Sequence, residues 1–354
     1  MAKENMTNIS SVSEEKTQQM STFRLSNMQR YLREDMSAEM EDFVAGGKLK
    51  SGYANLDAIT NLYPGLYVVG AISSLGKTTF VHQMADQLAE SGQPVLFFSL
   101  EQSTLELASK SLSRIMAKNS AATAMTSLQI RKNGTDPRVK AAIAEYDKYA
   151  ANLLVAECTF RATIDTIEGT VINYIRKTGK KPVVIVDYLQ VIQAPVESRM
   201  TAKDLVDLHV RRLKQLQSEN KLVLIVISSL NRQNYLTQID YESFKESGGI
   251  EYTADVVWGL QLEVLHDEIF DKQAKINEKR QKVKEAKAAN PRRIELVCLK
   301  NRFGISSYSC MYDYYPQFDY FSPVMDGIDS ALLNPDVDQD GFITLPDGYN
   351  TPFD

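Results

Sequence analysis

The 354-residue sequence has few cysteines and no long apolar run. Its three cysteines, Cys158, Cys298 and Cys310, are too few and too far apart for a disulfide framework or a zinc cluster. Cys298 lies in an apolar run, which predicts a core position. No apolar stretch approaches the ~20 residues of a membrane-spanning helix, and residues 1–19 contain no apolar core of an export signal. We therefore expect a cytoplasmic protein.

An excess of positive charge is also absent. Lys and Arg number 40 against 45 Asp and Glu, which gives a formal net charge of −5. No global basic surface therefore marks a nucleic-acid binder, and any such contact has to come from local loops. The hydrophobic fraction of 44% and the charged fraction of 24% are those of an ordinary globular protein. The length allows either two domains or one large core with arms.

The most informative stretch is Ala71–Thr78, which fits the phosphate-binding loop pattern except that Ala71 replaces the first glycine. A strand pattern precedes it and a helical pattern follows it, which is the order that the motif requires. Backbone N–H groups of such a loop converge on phosphate oxygens, Lys77 reaches the β- and γ-phosphates, and Thr78 supplies a ligand to Mg²⁺. The predicted nucleotide-binding residues of this stretch are Ala71, Ser73, Ser74, Leu75, Gly76, Lys77, Thr78 and Thr79.

Two further apolar strand patterns each end in a carboxylate, Glu101 and Asp187. In open α/β sheets, ligands lie at the carboxyl ends of the strands. Asp187 matches the Walker B arrangement, in which a carboxylate holds Mg²⁺ beside Thr78, although an acid at a strand end is also a common structural feature. Strands that alternate with helices predict an α/β fold with a mostly parallel, helix-covered sheet.

The segments before the core differ in composition. Residues 1–21 are polar with few aliphatic side chains, which predicts a disordered tail. Residues 22–47 predict a helix that starts with a capping box at Ser26 and Gln29 and ends before a glycine pair. This helix either folds back on its own domain or docks on a neighbouring subunit.

The predicted core covers residues 48–322 and carries a charged helical insertion at residues 263–291. The charged helix is either a solvated surface helix or an arm that binds nucleic acid. Residues 323–354 form an acidic tail, part of which matches the spacing of a calcium loop, except that Asp347 stands where Glu is expected. The candidate calcium ligands are Asp336, Asp338, Asp340 and Asp347. The alternative is an acidic tail without a metal.

Taken together, residues 49 to about 321 resemble the RecA-like motor domain of the DnaB-type replicative DNA helicases. The two most particular motifs are Asp187–Gln190 and Glu246–Glu251. The other motifs that carry the resemblance are Ser51–Tyr53, Leu56-Asp57, Pro64-Gly65, Ala71–Thr78, Phe98–Glu101, Ser228–Gln233, Ala254-Asp255, Lys300, Arg302 and Gly304.

The resemblance implies a role for residues outside the phosphate loop. Glu101 would orient or deprotonate the attacking water, and Arg232 would belong to the nucleotide site. Lys300 and Arg302 look like the pair that reaches the nucleotide of the next subunit as an arginine finger, whereas alone they would be read as a surface pair. The helix of residues 22–47 is similar to the linker helix by which ring helicases clasp a neighbour. ATP, Mg²⁺ and a homo-oligomeric, hexameric ring are therefore expected.

DNA binding in this family comes from loops that face the ring channel. The corresponding residues here are Arg199, Lys203, Gly248 and Gly249, for which an ordinary basic loop is the alternative. Such loops hold the DNA backbone by charge and amide donors, so affinity should fall with salt. Ser229 stands where the family usually has Gln, which links the γ-phosphate to the DNA loops, so this coupling is expected to run through other residues or to be weaker.

The resemblance implies an ATP-driven ring translocase that moves 5′→3′ on single-stranded or forked DNA and unwinds duplex DNA in replication, with a primase and a loader as partners. The sequence lacks the helical N-terminal collar of bacterial replicative helicases. In this respect it resembles the helicases of phages or mobile elements. Two alternatives stay open: a RecA-like recombination or repair ATPase of the RadA or KaiC kind, and a non-catalytic, nucleotide-gated scaffold that binds DNA. Intact Lys77, Thr78, Glu101 and Asp187 speak against the scaffold, whereas Ser229 favours it.

Overall fold

A computed structural model gives the fold of the chain. It describes residues 27–46, 49–158, 162–193, 200–231, 235–244, 248–271 and 275–325. The chain divides into two compact units, residues 1–46 and 47–354, which are described separately below. The predicted disordered tail of residues 1–21 lies outside the described residues, as does the predicted acidic tail after residue 325.

The N-terminal unit contains two short helices, α1 (Met28–Glu34) and α2 (Met36–Gly46). The side chain of Asn27 caps α1, since it accepts hydrogen bonds from two backbone N–H groups of the first turn at 2.9 and 3.3 Å. The predicted cap at Ser26 is therefore wrong by one residue, and a turn at Asp35 divides the predicted single helix. Exposed apolar side chains of these helices are Met28, Leu32, Met40, Phe43 and Val44.

The second unit is built on one nine-stranded sheet. In chain order its strands are β1 (Gly65–Ala71), β2 (Val95–Ser99), β3 (Leu153–Glu157), β4 (Val183–Asp187), β5 (Val223–Ser229), β6 (Val256–Leu262), β7 (Arg292–Asn301), β8 (Ser309–Tyr315) and β9 (Tyr320–Pro323). Their order across the sheet is β3-β2-β4-β5-β1-β6-β7-β8-β9. The block from β3 to β6 is parallel, and the last three strands are added antiparallel. The predicted mostly parallel α/β sheet is confirmed.

Helices connect these strands. They are α3 (Ala54–Asp57), α4 (Lys77–Glu90), α5 (Thr104–Asn119), α6 (Ser127–Lys132), α7 (Pro137–Ala150), α8 (Ile164–Thr178), α9 (Ala202–Asn220), α10 (Gly248–Thr253), α11 (Glu268–Asp271) and α12 (Ile276–Ala288). Among the described residues, no helix has the length and the apolar character that crossing a lipid bilayer requires.

Burial explains why the central strands read as continuous apolar runs. Every residue of β1, β2, β4 and β6 is buried, as expected for strands of a parallel sheet with both faces covered. Each fully buried large apolar side chain stabilises the fold by about 1.5–3 kcal/mol. Because parallel strands end at the same edge of a sheet, the residues that follow β1, β2, β4 and β5 are brought together.

Several elements are not evident in the sequence. No strand pattern marks β3, and the polar segment 119–137 contains the helix α6. The last four residues of the motif Glu246–Glu251 lie in the helix α10. Strand β7 continues through Asn301, so Lys300 lies within this strand. Strand β7 pairs antiparallel with β8, and Cys298 is buried as predicted.

Candidate nucleotide site

The phosphate loop connects β1 to α4 at the carboxyl edge of the parallel strands. Ala71 is the last residue of β1 and is fully buried, and Gly76 is the N-cap of α4. Gly76 has a φ of +88°, and a Cβ atom at this position would lie 2.9 Å from the ring of Tyr314. Glycine therefore fits here both in conformation and in space. The N-terminus of α4 points its unpaired N–H groups at the loop, as an anion site requires.

A cavity of about 440 Å³ opens at this loop. Its lining residues are Ser73, Ser74, Gly76, Lys77, Thr78, Thr79, Glu101, Gln102, Lys110, Asp187, Tyr188, Ser229, Tyr314 and Asp319. The structure thus brings together the predicted loop residues, the two predicted carboxylates and Ser229. Of the predicted loop set, Ala71 and Leu75 contribute no lining side chain, because both are buried in the core.

Lys77 provides the cation of the site. Its Nζ atom donates a hydrogen bond to the carbonyl oxygen of Ala71 at 2.8 Å. Burial lowers the pKa of Lys77, and the nearby carboxylates of Asp187 and Glu101 partly oppose this shift. An ammonium that has lost part of its hydration is well suited to bind phosphate oxygens.

Asp187 ends β4 and is only 1% exposed. Burial raises the pKa of its carboxyl group to about 6, a hydrogen bond with Thr78 lowers it, and the charge of Glu101 raises it further. Its Oδ2 atom has no hydrogen-bond partner although it is buried. A buried, unpartnered carboxylate oxygen beside a threonine hydroxyl fits Mg²⁺, which takes oxygen ligands and keeps several waters. The described residues contain no cluster of three His, Cys, Asp or Glu, and Mg²⁺ at a phosphate site does not need one.

Glu101 follows β2 and is exposed to the cavity. Its charge raises the pKa of Lys77, Asp187 and Tyr188, so it faces the same space as these groups. A carboxylate in this position is suited to orient a water molecule or accept a proton from it.

The far wall of the cavity was not predicted from the sequence. Tyr314 and Asp319 come from the β8–β9 hairpin, and Lys110 comes from α5. The Oδ1 atom of Asp319 lies 3.3 Å from the hydroxyl of Thr79 and 3.5 Å from Nζ of Lys110. The hairpin is also held by the buried guanidinium of Arg114, which donates to the carbonyl oxygen of Asp319 at 2.6 Å.

Ser229 is joined to the Walker B segment through Gln190. The backbone N–H of Ser229 donates to Oε1 of Gln190 at 3.2 Å, and Nε2 of Gln190 donates to the hydroxyl of Ser228 at 2.9 Å. The end of β5 is therefore tied to the segment after β4 by a side-chain amide, next to the cavity.

Lys300 and Arg302 lie away from this cavity. Nζ of Lys300 donates to the carbonyl oxygen of Glu251 at 2.6 Å, and Nη1 of Arg302 lies 3.2 Å from Oδ1 of Asp255. The backbone N–H of Asp255 donates to the carbonyl of Leu66, near the start of β1. The pair is thus at the edge of the sheet opposite to the phosphate loop. Leu66 and Ala71 are five residues apart along β1, which corresponds to about 16 Å at about 3.3 Å per residue.

The predicted DNA-binding residues are partly brought together. Lys203 is exposed in the first turn of α9, one helical turn before Asp207. The N–H of Gly249 donates to Oδ1 of Asp207 at 3.0 Å, which places the start of α10 beside this end of α9. The predicted site residues Arg199, Arg232, Asp336, Asp338, Asp340 and Asp347 lie outside the described residues.

Two solved structures share the fold of this chain. One, described as an ATPase domain, has a TM-score of 0.66 at 20% identity and matches 85% of this chain and 100% of that chain. The other, a DnaB-like replicative helicase from a structure that also describes its interactions with primase, has a TM-score of 0.64 at 19% identity and matches 91% and 74%, respectively.

Comparison of sequences extends this likeness. DnaB, the replicative DNA helicase of Haemophilus influenzae, is 25% identical over 245 residues, 67% of this chain and 50% of that protein. DnaB of Leifsonia xyli subsp. xyli is 33% identical over 227 residues, 61% of this chain and 47% of that protein. The chain spans about half the length of the curated relatives it matches. The sequence model of the DnaB-like helicase C-terminal domain matches residues 48–321, and the chain therefore belongs to that family.

Proposed function

We propose that this chain is the motor of a replicative DNA helicase, which hydrolyses ATP with Mg²⁺ and uses the energy to move along single-stranded DNA and unwind the duplex. One observation carries the proposal. Lys77, Thr78, Glu101 and Asp187 line a single cavity at the carboxyl edge of a RecA-like sheet. Family membership over residues 48–321, and relatives named as replicative DNA helicases, support the same function.

The hydrolysis step follows from the roles of these side chains. The loop N–H groups and Lys77 bind the phosphates and stabilise negative charge as the γ-phosphoryl group leaves. Asp187 and Thr78 would hold Mg²⁺, which would supply positive charge beside the phosphates. Glu101 orients the attacking water and accepts its proton, while the other carboxylate, Asp187, is committed to the metal. The separation of the two acids into metal ligand and base agrees with the burial of one and the exposure of the other.

The position of Lys300 and Arg302 supports an ATP site that is completed by a second copy of the chain. The pair is fixed near the start of β1, whereas the phosphate loop follows the end of this strand. Side chains at that edge do not reach the nucleotide of their own chain across about 16 Å of strand. We propose that they act as an arginine finger in the neighbouring site of a hexameric ring, and that α1 and α2 form the linker that docks on a neighbour.

Contact with DNA is assigned to Lys203, Gly248 and Gly249, together with Arg199. Lys203 offers a charge to the phosphate backbone, and the start of α10 lies beside it. Because these contacts are electrostatic, DNA affinity should fall steeply as salt rises. A primase and a loader are proposed partners in replication, and the direction of movement is proposed as 5′→3′.

The function is tested by strand displacement on a forked DNA substrate with ATP, alongside a measurement of the size of the assembly. We expect an assembly of the size of a ring to unwind the substrate, and we expect Lys77→Ala to abolish this unwinding. Binding of nucleotide and DNA without turnover would instead identify a nucleotide-gated scaffold, the alternative that Ser229 favours. Mixing Arg302→Ala with Glu101→Ala chains should restore part of the ATPase activity. In such a mixture, some interfaces combine the intact Glu101 of one chain with the intact Arg302 of the other. No recovery at any ratio would exclude a finger supplied by the neighbour.

A further inference from the structure

The connection between β6 and β7 is much longer than a hairpin between two neighbouring strands needs. The two strands are antiparallel neighbours, and such strands can be joined by a turn of about 2–5 residues. Here residues 263–291 lie between them and include α11 and α12. The C-terminal end of this connection lies against the outer side of the phosphate loop.

Three side chains make contact with the loop from outside. Lys287, in the last turn of α12, donates from Nζ to the carbonyl oxygen of Ser73 at 3.3 Å. Its ammonium also lies 5.3 Å from the ring centroid of Tyr235, whose hydroxyl donates to Oγ of Ser73 at 3.2 Å. Arg292, the first residue of β7, donates from Nη1 to the carbonyl oxygen of Ser74 at 2.9 Å. Two consecutive loop residues are thus held by side chains from two distant segments.

These contacts bear on the N–H groups that cradle a phosphate. In a planar trans peptide, the carbonyl oxygen and the following N–H point in opposite directions. A donor that holds the carbonyl of Ser73 on the outer side therefore directs the N–H of Ser74 to the inner side, and Arg292 does the same for the N–H of Leu75. Ser74 has a φ of +68°, a conformation that non-glycine residues avoid, so the loop needs such support.

The rest of α12 is fixed to the protein, which makes it a firm support. Lys279 donates to the carbonyl of Phe270 at 2.8 Å, and Lys282 pairs with Asp267 at 2.7 Å. Val283 is buried under the helix. These basic side chains contact groups of the chain itself, which favours a structural helix over a nucleic-acid arm.

We propose that Lys287, Arg292 and Tyr235 form a clasp that positions the phosphate loop for the nucleotide. The inference rests on the proposed function, since it takes this loop to bind ATP. The three are positioning residues, because none of them lines the cavity. Lys287 is the cleanest probe, since Arg292 also lies 5.8 Å over the ring of Tyr314, which does line the cavity.

The test compares the affinity of full-length variants for a non-hydrolysable ATP analogue with Mg²⁺. Lys287→Ala should weaken binding by about tenfold through the loss of a charged donor. Lys287→Arg should retain most of the affinity, because it keeps a charged donor at the same position. Tyr235→Phe should weaken binding by less, since only a neutral hydrogen bond is lost. Lys284→Ala is the matched control, since this exposed lysine lies on the same helix, and it should bind as the wild type does.

A positioning role also predicts a division between kinetic parameters. The KM for ATP should rise in Lys287→Ala while kcat at saturating ATP stays close to that of the wild type. If Lys287→Ala does not fold, Lys287→Met keeps the apolar stem and has the same expected loss. Equal affinity of the wild type and all clasp variants for the analogue would overturn the clasp alone. A wild-type chain that binds no nucleotide would overturn the proposed function, and the clasp with it.

Discussion

Replacement of the buried Walker B carboxylate should make the nucleotide-free protein more stable. Asp187 is ionised at neutral pH in a site where it is 1% exposed and its Oδ2 atom has no hydrogen-bond partner. Burial raises its pKa from 3.8 to about 6. The folded state therefore holds an ionised group at a cost, and Asp187→Asn removes this cost.

The magnitude follows from the change in pKa. A rise of about 2 in the pKa corresponds to about 3 kcal/mol at 1.36 kcal/mol per unit. The sign is fixed by proton linkage: because the folded pKa lies above the unfolded value, the folded state binds the proton more tightly between about pH 4 and pH 6. Stability from this group therefore falls as pH rises through that range, and the whole cost is present above it.

The assay is urea unfolding of wild type and Asp187→Asn without nucleotide at two pH values. The stability advantage of the variant should grow by about 1.5 kcal/mol from about pH 5 to about pH 7.5. The new amide is uncharged at both pH values, so any effect of its packing adds the same free energy at both and cancels in this comparison. Glu278→Gln, an exposed change on α12, is the control. Its stability relative to the wild type should change by less than about 0.5 kcal/mol between the two pH values.

A second measurement with Mg²⁺ and ATP should reverse the order of stability. Nucleotide at about 1,000 times its Kd stabilises a folded protein by about 4.1 kcal/mol, which exceeds the cost of about 3 kcal/mol that the ionised carboxylate imposes on the wild type. Wild type should gain this stabilisation, whereas Asp187→Asn should lose most of it with the metal ligand. An Asp187→Asn protein that is less stable than wild type by the same amount at both pH values would refute the reasoning.

Three further outcomes follow from the structure. Gly92→Ala places a side chain at a φ of +88° in open space and should cost about 1 kcal/mol in urea unfolding. Gly76→Ala has the same φ and an aromatic ring 2.9 Å from the new Cβ atom, so it should cost more and should also lose nucleotide binding by calorimetry. Arg114→Ala should cost about 3–5 kcal/mol in the same unfolding assay, since it leaves the buried Asp86 carboxylate unpaired, and adding Asp86→Ala should cost less than the sum of the single changes. Ser229→Gln should raise the ratio of DNA-stimulated to DNA-free ATP hydrolysis; an unchanged ratio would show that Gln190 already carries this link.

The parts of the site that could be predicted are those that form a motif of consecutive residues or end an apolar strand. The phosphate loop is a local pattern, and Glu101 and Asp187 each end an apolar strand, so strand order alone predicts that they meet. The far wall had no such signal, because Tyr314, Asp319 and Lys110 come from segments that only tertiary packing brings together. The same holds for Lys287, whose helix has the composition of any solvated surface helix.

The fold was predictable where burial is complete and less so at its margins. The central strands are apolar throughout, whereas β3 lies at the edge of the sheet and is only partly buried, so its short sequence gives no clear pattern. The end of β7 at Lys300 and Asn301 has no apolar signal, because polar and charged residues replace apolar ones where the strand reaches the sheet edge. The N-cap at Asn27 was missed because Ser26 is an equally good capping residue by type.

The reversal of chain direction between β6 and β7 places Lys300 and Arg302, the proposed second half of the site, at the sheet edge opposite to the phosphate loop. Copies that complete one another's sites must therefore associate head to tail, and a two-fold dimer does not satisfy either half. Head-to-tail association ends only when the ring closes. In the proposed ring, closure would give as many complete sites as chains, whereas opening to admit a DNA strand would leave one fewer, so loading would silence the site at the gap.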